Sequence, residues 1–410
     1  MRLGSRVAHM VGSGDDGWGI YYRTRELVAQ GIGVTNLTIG EHDVGTDRRI
    51  LEAMHASALS GQTGYAFGPG KRPLREAIAA RVTARTGVPA TWENVVITPG
   101  GQAALFASHM VLLSAGDTGL YVDPHYATYP GTIRATGAAA VAVPARSERE
   151  FQPDAQAIDA AAAESGARTL LLNTPNNPTG VVYARRTLEE IAQVARARDL
   201  WVISDEVYDT QVWEGAHLSP RALAGMEERT VVVGSMSKSH AMTGSRLGWI
   251  VAPVEVARAV TDLATNTTYG VPAFIQDAAL HALEMGPGFE AEVAAPFRRR
   301  RDIAQAVLAG QNAVRPIPPA GAMYVMLDIR ATGLSGEAFA HRLLEEERIA
   351  VMPGESFGQA AAGHVRVATT VADEAFADAL GRLAALAGRL AAGRAEAGPA
   401  AAGGGGGATA

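Results

Sequence analysis

Hydrophobic residues between about positions 94 and 252 form short runs that alternate with segments of helix length. The runs are apolar throughout, which is typical of parallel strands that are buried on both faces of a sheet. Seven such runs lie at residues 95–97, 119–122, 140–143, 169–172, 201–203, 231–233 and 249–251. The pattern predicts an α/β fold with a mostly parallel seven-stranded sheet and helices on both faces.

The two ends of the chain have a different pattern. Residues 1–45 contain one helix-like segment and one short strand candidate, and residues 281–388 contain further helices and short strands. We expect residues 46–280 to form a large domain, and the two flanks to form one smaller α+β domain together. Residues 389–410 are rich in Ala and Gly, so a disordered tail is expected there.

Composition narrows the class of protein. The formal net charge is −6 over 410 residues, which argues against a nucleic-acid or anionic-membrane partner. The sequence has no cysteine, which excludes disulfides, thiolate metal sites and thiol nucleophiles. Its 10 histidines show no metal-binding spacing, and no apolar stretch approaches the roughly 18 residues of a membrane span. We therefore expect a cytoplasmic protein without a metal site.

Lys238 is the first candidate for chemistry. It lies in Ser235-Met236-Ser237-Lys238, directly after a predicted strand, and Arg246 follows eight residues later. An amine can form an imine with an aldehyde cofactor, and the hydroxyls and the guanidinium can hold a phosphate group.

Other predicted strands also end in polar groups, and such residues converge at one edge of a parallel sheet. Asp205 could pair with a protonated pyridine nitrogen, although it could equally cap a helix. Asn177, in a loop stiffened by proline and glycine, and Tyr208 could donate to a phenolate oxygen. An ordinary turn would explain an isolated Asn-Pro as well.

Two further strand ends fit the same ligand. Gly100, Gly101 and Gln102 open a predicted helix, where backbone N–H groups can approach a phosphate. Tyr126 could stack on an aromatic ring, or it could be a packing residue.

At this point the chain resembles the class I/II (aspartate-aminotransferase-like) aminotransferases, which are fold-type-I pyridoxal-phosphate enzymes. The Asn-Pro-Thr-Gly loop and the Ser-x-x-Lys element that precedes an Arg are the strongest matches. The matches run in order over nearly the whole chain: Gly40, Tyr65, Gly100-Gly101, Tyr126, Asn177 to Gly180, Asp205 to Tyr208, Ser235 to Arg246, and Arg366.

The resemblance implies a role for each matched residue. Lys238 would form the Schiff base with pyridoxal 5′-phosphate and move the proton, while Asp205 would pair with the pyridine nitrogen. Asn177 and Tyr208 would bond the phenolic oxygen. The residues implied around the phosphate are Gly100, Gly101, Gln102, Ser235, Ser237 and Arg246.

The resemblance also implies substrates and a partner. Arg366 would bind the substrate α-carboxylate beside Gly40 and Asn177, whereas without the family match a surface ion pair would be preferred. Tyr65 would reach the cofactor of a second subunit, which implies a homodimer with shared active sites. The expected reaction is ping-pong transamination between an L-amino acid and a 2-oxo acid such as 2-oxoglutarate. Some bacterial aspartate-type members have Lys at the position of Gln102, so the amino donor stays open.

Three alternatives are weighed against this interpretation. A carbon–sulfur β-lyase could use the same fold and cofactor. The glycine pattern at residues 12–17 could suggest a dinucleotide site, but two aspartates would repel a pyrophosphate there, so a mobile arm is favoured. The four arginines at 298–301 are interpreted as a solvated helix face rather than as an anion site.

Overall fold

The computed structural model describes residues 8–10, 18–66 and 68–396 of the chain. Its α-helices are α1 (Gly19–Ala29), α2 (Arg48–Leu59), α3 (Arg72–Thr86), α4 (Gly101–Leu112), α5 (Tyr129–Arg134), α6 (Ala155–Ser165), α7 (Arg185–Ala197), α8 (Met236–Ser239), α9 (Val254–Thr265), α10 (Ala273–Glu284), α11 (Gly286–Leu308), α12 (Gly336–Glu347) and α13 (Asp373–Glu396). Short 3-10 turns lie at Trp92–Asn94, Ser147–Arg149, Pro220–Ala222, Thr243–Ser245, Arg330–Thr332, Gly354–Phe357 and Gln359–Ala361.

A seven-stranded sheet forms the centre of the molecule and confirms the predicted fold class. Its strands are β2 (Val95–Thr98), β3 (Thr118–Asp123), β4 (Ala139–Pro144), β5 (Thr169–Asn173), β6 (Trp201–Asp205), β7 (Thr230–Ser235) and β8 (Gly248–Val251). The order across the sheet is β2-β8-β7-β6-β5-β3-β4, with β8 antiparallel to both of its neighbours. Strands β3 to β7 pair in parallel, so their carboxyl ends share one edge.

Helices cover both faces of this sheet, which explains why the strands lack polar alternation. Successive side chains of a strand point to opposite faces. Leu171 packs in one core with residues of α4 and α9, whereas its neighbours Leu170 and Leu172 pack in another core with residues of α6 and α7. Both faces of β5 are therefore apolar because both are buried.

The two ends of the chain meet in a separate core. The short strand β1 (Thr35–Asn36) pairs in parallel with β11 (Ile349–Ala350). A four-stranded antiparallel sheet follows the order β12-β13-β10-β9, with β9 (Arg315–Pro316), β10 (Tyr324–Asp328), β12 (Met352–Pro353) and β13 (His364–Ala368). Ile20, Leu27 and Leu37 from the first flank share one hydrophobic core with residues of α12 and α13. The domain boundaries themselves stay a prediction.

The disordered tail was predicted to begin too early. Helix α13 continues through residues 389–396, because Ala, Leu and Arg are good helix formers and Leu390 packs against the core of the two chain ends. The expected disorder is therefore wrong for these residues. Residues 397–410 and the glycine pattern at 12–17 lie outside the described residues.

The interpretation of the arginine run as a solvated face is also wrong in part. Arg300 and Arg301 are buried, and Arg300 pairs with Asp43 and Asp373 across the molecule. Arg301 pairs with Glu214 and with Asp302, the next residue of its own helix. In the described part of the chain, no helix is long and apolar enough to cross a membrane, and no His, Cys, Asp or Glu cluster could hold a metal ion.

Candidate active site

A cavity of about 260 Å³ lies beside the carboxyl ends of β5, β6 and β7. Side chains from the sheet and from the two chain ends line it together. The predicted site residues that line it are Gly40, Gly101, Gln102, Tyr126, Asn177, Asp205, Tyr208, Ser235, Ser237, Lys238, Arg246 and Arg366. Most of the site residues predicted from the sequence therefore line this one cavity. Gly100 and Tyr65 lie outside its lining.

Lys238 is positioned by a capped single-turn helix. Ser235 is the last residue of β7 and the N-cap of α8. Its hydroxyl accepts a hydrogen bond from the backbone N–H of Ser237 at 3.1 Å. Its hydroxyl also donates to the carbonyl of Leu247 at 3.2 Å. The amine of Lys238 donates to the carbonyl of Gly40. Lys238 thus connects the central sheet with the segment from the start of the chain.

Asp205 is a buried carboxylate at the end of β6. The phenol of Tyr129 donates to its Oδ2 at 2.6 Å, and the backbone N–H of Val207 donates to its Oδ1 at 3.3 Å. Burial raises the pKa of Asp205 to about 6, although the hydrogen bond from Tyr129 opposes this shift. No helix begins at this point, so the helix-cap alternative does not apply. Among the described residues, no basic side chain forms an ion pair with Asp205.

Asn177 and Tyr208 lie beside a residue that the sequence analysis missed. The hydroxyl of Tyr324 is 3.0 Å from the hydroxyl of Tyr208 and 3.5 Å from the Nδ2 of Asn177. The Oδ1 of Asn177 accepts from Arg366 at 2.9 Å. Tyr324 belongs to a strand candidate, but no local signal indicates that its phenol enters the cavity.

Tyr129 was missed for a similar reason. It lies one helical turn after Tyr126, and the two rings meet edge to face with their centroids 5.8 Å apart. The spacing could have suggested proximity to Tyr126, but the bond to Asp205 spans 76 positions. Burial raises the pKa of Tyr126 above its ordinary value.

Gly100, Arg246 and the N-terminus of α4 form an anion cradle. Gly100 has φ +83°, and a Cβ there would lie 2.3 Å from the Nη2 of Arg246, so only glycine lets the guanidinium approach. Arg246 donates to the carbonyl of Thr243 at 2.8 Å. Gln102 is the second residue of α4 and accepts from Thr128 at 2.9 Å. A guanidinium beside the free backbone N–H groups of a helix N-terminus can bind a phosphate.

Arg366 is buried, with 2% of its surface exposed. Its guanidinium carbon lies 4.4 Å from the ring centroid of Tyr324 and 4.3 Å from that of Phe357. It donates to Asn177 and to the carbonyl of Thr38, while its Nε has no partner. Burial lowers the pKa of Arg366 from its ordinary value. A surface ion pair is excluded, because no carboxylate in the described ranges contacts this side chain.

Tyr65 is the predicted site residue that stays apart. It is 96% exposed, and its ring lies 5.8 Å from that of Tyr269, which is itself 62% exposed. Tyr65 does not line the cavity of its own chain.

The comparisons with known proteins agree with this fold. Residues 32–383 match the family model described as aminotransferase class I and II, and the chain belongs to this family. It is therefore a pyridoxal-phosphate-dependent aminotransferase.

The names of individual relatives carry different substrates. The chain is 43% identical over 391 residues to an arginine–pyruvate transaminase of Pseudomonas aeruginosa, covering 95% of this chain and 99% of that one. It is 35% identical over 369 residues to an aspartate/prephenate aminotransferase of Thermus thermophilus, covering 89% and 94%. A solved structure of Thermus thermophilus aspartate aminotransferase with maleate superposes with a TM-score of 0.88 at 34% identity, covering 94% of this chain and all of that chain.

The donor set of the cavity fits pyridoxal phosphate. The cradle at Gly100 and Arg246 suits the phosphate, the buried carboxylate of Asp205 suits a protonated ring nitrogen, and the amine of Lys238 suits the aldehyde. Each group lines the cavity or borders it, and none of the three side chains has an opposite charge as its partner within the described residues.

Proposed function

We propose that the protein transfers an amino group between an L-amino acid and a 2-oxo acid by a ping-pong mechanism centred on Lys238. The observation that carries the proposal is the convergence of Lys238, Asp205 and Arg366 on one cavity, each without an ionic partner among the described residues. Unpaired buried charges are costly unless a ligand compensates them. A cofactor and a substrate carboxylate would supply this compensation.

Lys238 would hold the cofactor covalently and would then carry protons. The free amine of Lys238 would accept the α-proton of the substrate and deliver it again as a general acid. The hydrogen bond to the carbonyl of Gly40 shows that the amine reaches the side of the cavity where the segment from the chain start lies. When bound, the cofactor acts as an electron sink for the charge left at the α-carbon.

The other cofactor residues fix its position and charge. Asp205 would pair with the ring nitrogen and keep it protonated, while Tyr126 would pack against the ring. Asn177 and Tyr208 would donate to the phenolic oxygen. The phosphate would be held by Gly100, Gly101, Gln102, Ser237 and Arg246. Ser235 contributes mainly by capping α8, because its hydroxyl already bonds Ser237 and Leu247.

Arg366 binds the α-carboxylate of both substrates, with Gly40 and Asn177 beside it. Its guanidinium is held between two aromatic rings, so little side-chain freedom is lost when a carboxylate arrives. Both half-reactions therefore use the same site.

The amino acceptor is either 2-oxoglutarate, as the resemblance implies, or a monocarboxylate such as the pyruvate in the name of the Pseudomonas relative. The three cations that line the cavity are Lys238, Arg246 and Arg366, and each already has a proposed partner. A second carboxylate would thus meet no spare cation among the described lining residues. This favours pyruvate over 2-oxoglutarate.

A homodimer with shared active sites completes the proposal. Tyr65 is almost fully exposed beside the exposed Tyr269, and two exposed aromatic rings are unusual on a free surface. Tyr65 would donate to the phosphate of the cofactor bound by the partner.

The covalent step can be tested on the purified protein because the sequence contains only two lysines, Lys71 and Lys238. Borohydride reduction followed by peptide mapping is expected to place the cofactor on Lys238, with Lys71 unmodified as the internal control. A protein that takes up no pyridoxal phosphate, or that carries it on Lys71, would contradict the proposal.

The reaction can be tested by mixing the cofactor-bound protein with single amino acids and following its absorption. Reactive donors should convert the cofactor in one half-reaction and stop until pyruvate or 2-oxoglutarate is added. Release of pyruvate and ammonia without an added 2-oxo acid would instead show the β-lyase alternative.

A further inference from the structure

The phenol of Tyr324 lies between the groups proposed to hold the cofactor and the group proposed to hold the substrate. Tyr324 begins β10, which pairs with β13, the strand of Arg366. It is 4% exposed, and its hydroxyl is near both Tyr208 and Asn177. Its ring covers one face of the Arg366 guanidinium.

Donor chemistry fixes part of the hydrogen bonding around this phenol. Arginine can only donate, so the atom of Asn177 that Arg366 contacts is the acceptor Oδ1. The Nδ2 of Asn177 is then the donor toward the hydroxyl of Tyr324, at 3.5 Å. The hydroxyls of Tyr324 and Tyr208 lie 3.0 Å apart, and either of them can donate to the other. When Tyr324 donates, Tyr208 keeps its proton for a ligand oxygen.

The surroundings of Tyr208 keep its phenol protonated. Burial, followed by the neighbouring Tyr324, raises the pKa of Tyr208 well above its ordinary value. Other charged or titratable groups near the two phenols include Asp205, Tyr126, Tyr129 and Arg366. Asp205 already accepts from Tyr129, and Arg366 can only donate.

Gly40 supplies independent support for a fixed position of the phenol. A Cβ at residue 40 would lie 1.8 Å from the Tyr324 hydroxyl, so any other residue would displace it. The same glycine carbonyl accepts from Lys238. The segment at residue 40 therefore leaves room for this hydroxyl next to the reactive amine.

We propose that Tyr324 is a positioning residue that acts on both halves of the site. Its hydroxyl orients the proton of Tyr208 toward the phenolic oxygen of the cofactor, and its ring holds the guanidinium of Arg366 for the substrate carboxylate. The inference rests on the proposed function of Tyr208 and Arg366.

The hydroxyl is tested by Tyr324→Phe, Tyr208→Phe and the double variant, each loaded with pyridoxal phosphate. The pH dependence of the absorption spectrum gives the pKa of the linkage between Lys238 and the cofactor. Deprotonation of the linkage leaves more charge on the phenolic oxygen, so a weaker hydrogen bond there raises this pKa. Tyr324→Phe is expected to raise it by about half a unit, because a donor that itself accepts a bond is the stronger donor.

The double variant decides whether Tyr324 acts through Tyr208. Tyr208→Phe should raise the pKa more than Tyr324→Phe does, and adding Tyr324→Phe to it should change nothing further. An unchanged pKa in Tyr324→Phe, or equal shifts in the presence and absence of the Tyr208 hydroxyl, would overturn the role of the hydroxyl. Failure of the wild-type protein to bind the cofactor on Lys238 would instead overturn the proposed function.

The ring is tested by comparing Tyr324→Leu with Tyr324→Phe. Tyr324→Leu should raise KM for the amino acid about tenfold, since one aromatic face of Arg366 is lost, whereas Tyr324→Phe should keep KM within about twofold. The affinity for pyridoxal phosphate, measured by fluorescence on the cofactor-free protein, controls for general damage. Equal KM values for the two variants would overturn the role of the ring.

Discussion

Asp205 is a buried carboxylate and Asp209, four residues later, is a partly buried one, yet the two have opposite electrostatic surroundings. Asp205 faces the cavity with Lys238, its carboxylate accepts hydrogen bonds from Tyr129 and from the backbone of Val207, and burial raises its pKa to about 6. Burial would raise the pKa of Asp209 too, but Arg81 and Arg85 outweigh it and lower the pKa below its usual range.

The charges on the Asp209 side compensate one another. Arg85 donates to Asp209 and, at 2.9 Å, to Glu290, while Arg81 donates to Glu290 and lies 3.5 Å from Asp209. The cavity side has no such pairing among the described residues. The difference teaches that buried charge paired within the chain serves folding, whereas buried charge left unpaired awaits a ligand.

The sharpest test of the cavity side is Lys238→Ala. Removal of the amine is expected to lower kcat about 10⁴-fold, because it removes both the covalent anchor and the proton carrier. The measurement is single-turnover conversion of a reactive amino acid, with Lys71→Ala as the matched control. Activity within tenfold of wild type would refute the role of Lys238.

Asp205→Asn should reduce kcat by about 10²–10³-fold, since a neutral amide cannot hold the ring nitrogen protonated. The stability of the cofactor-free protein should nevertheless rise at pH 7. The folded-state pKa of about 6 lies above the ordinary value of 3.8, so the ionised group opposes folding by up to about 3 kcal/mol. Denaturant unfolding measures this change, and a loss of stability would show that the ionised carboxylate of Asp205 is compensated by a cation inside the chain.

Asp209→Asn should lower the stability and leave the activity nearly unchanged, which is the reverse of the result expected for Asp205→Asn. It leaves Arg81 and Arg85 partly uncompensated, so the free energy of unfolding is expected to fall by about 2–4 kcal/mol. The cofactor spectrum and kcat should stay within a few-fold of wild type. If kcat falls while stability holds, the two carboxylates do not differ in the way described.

The smallest expected effect is the pH dependence of the contribution that Asp205 makes to the free energy of unfolding. Because the folded pKa is raised, the penalty is present above about pH 6 and disappears as the pH falls toward 3.8. The difference in unfolding free energy between Asp205→Asn and wild type, both without cofactor, should therefore shrink from pH 7 to pH 5. A constant difference would indicate that Asp205 is ionised throughout this pH range and that its folded-state pKa is not raised.

The sequence by itself determined the central sheet and most of the site. Apolar runs identified all seven strands, since burial on both faces leaves a continuous signal, and residues directly after a strand are placed by the edge at which parallel strands end. Lys238, Asp205, Asn177 and Arg246 follow from that rule together with the family resemblance.

The tertiary structure alone decided which groups meet across long separations. The bond from Tyr129 to Asp205, the position of Tyr324 between Tyr208 and Arg366, and the burial of Arg300 depend on how distant elements pack. A local pattern shows that a side chain is polar or aromatic, but it does not show which charge will find a partner. Whether a buried charge is paired within the chain or left for a ligand is therefore a property of the folded molecule.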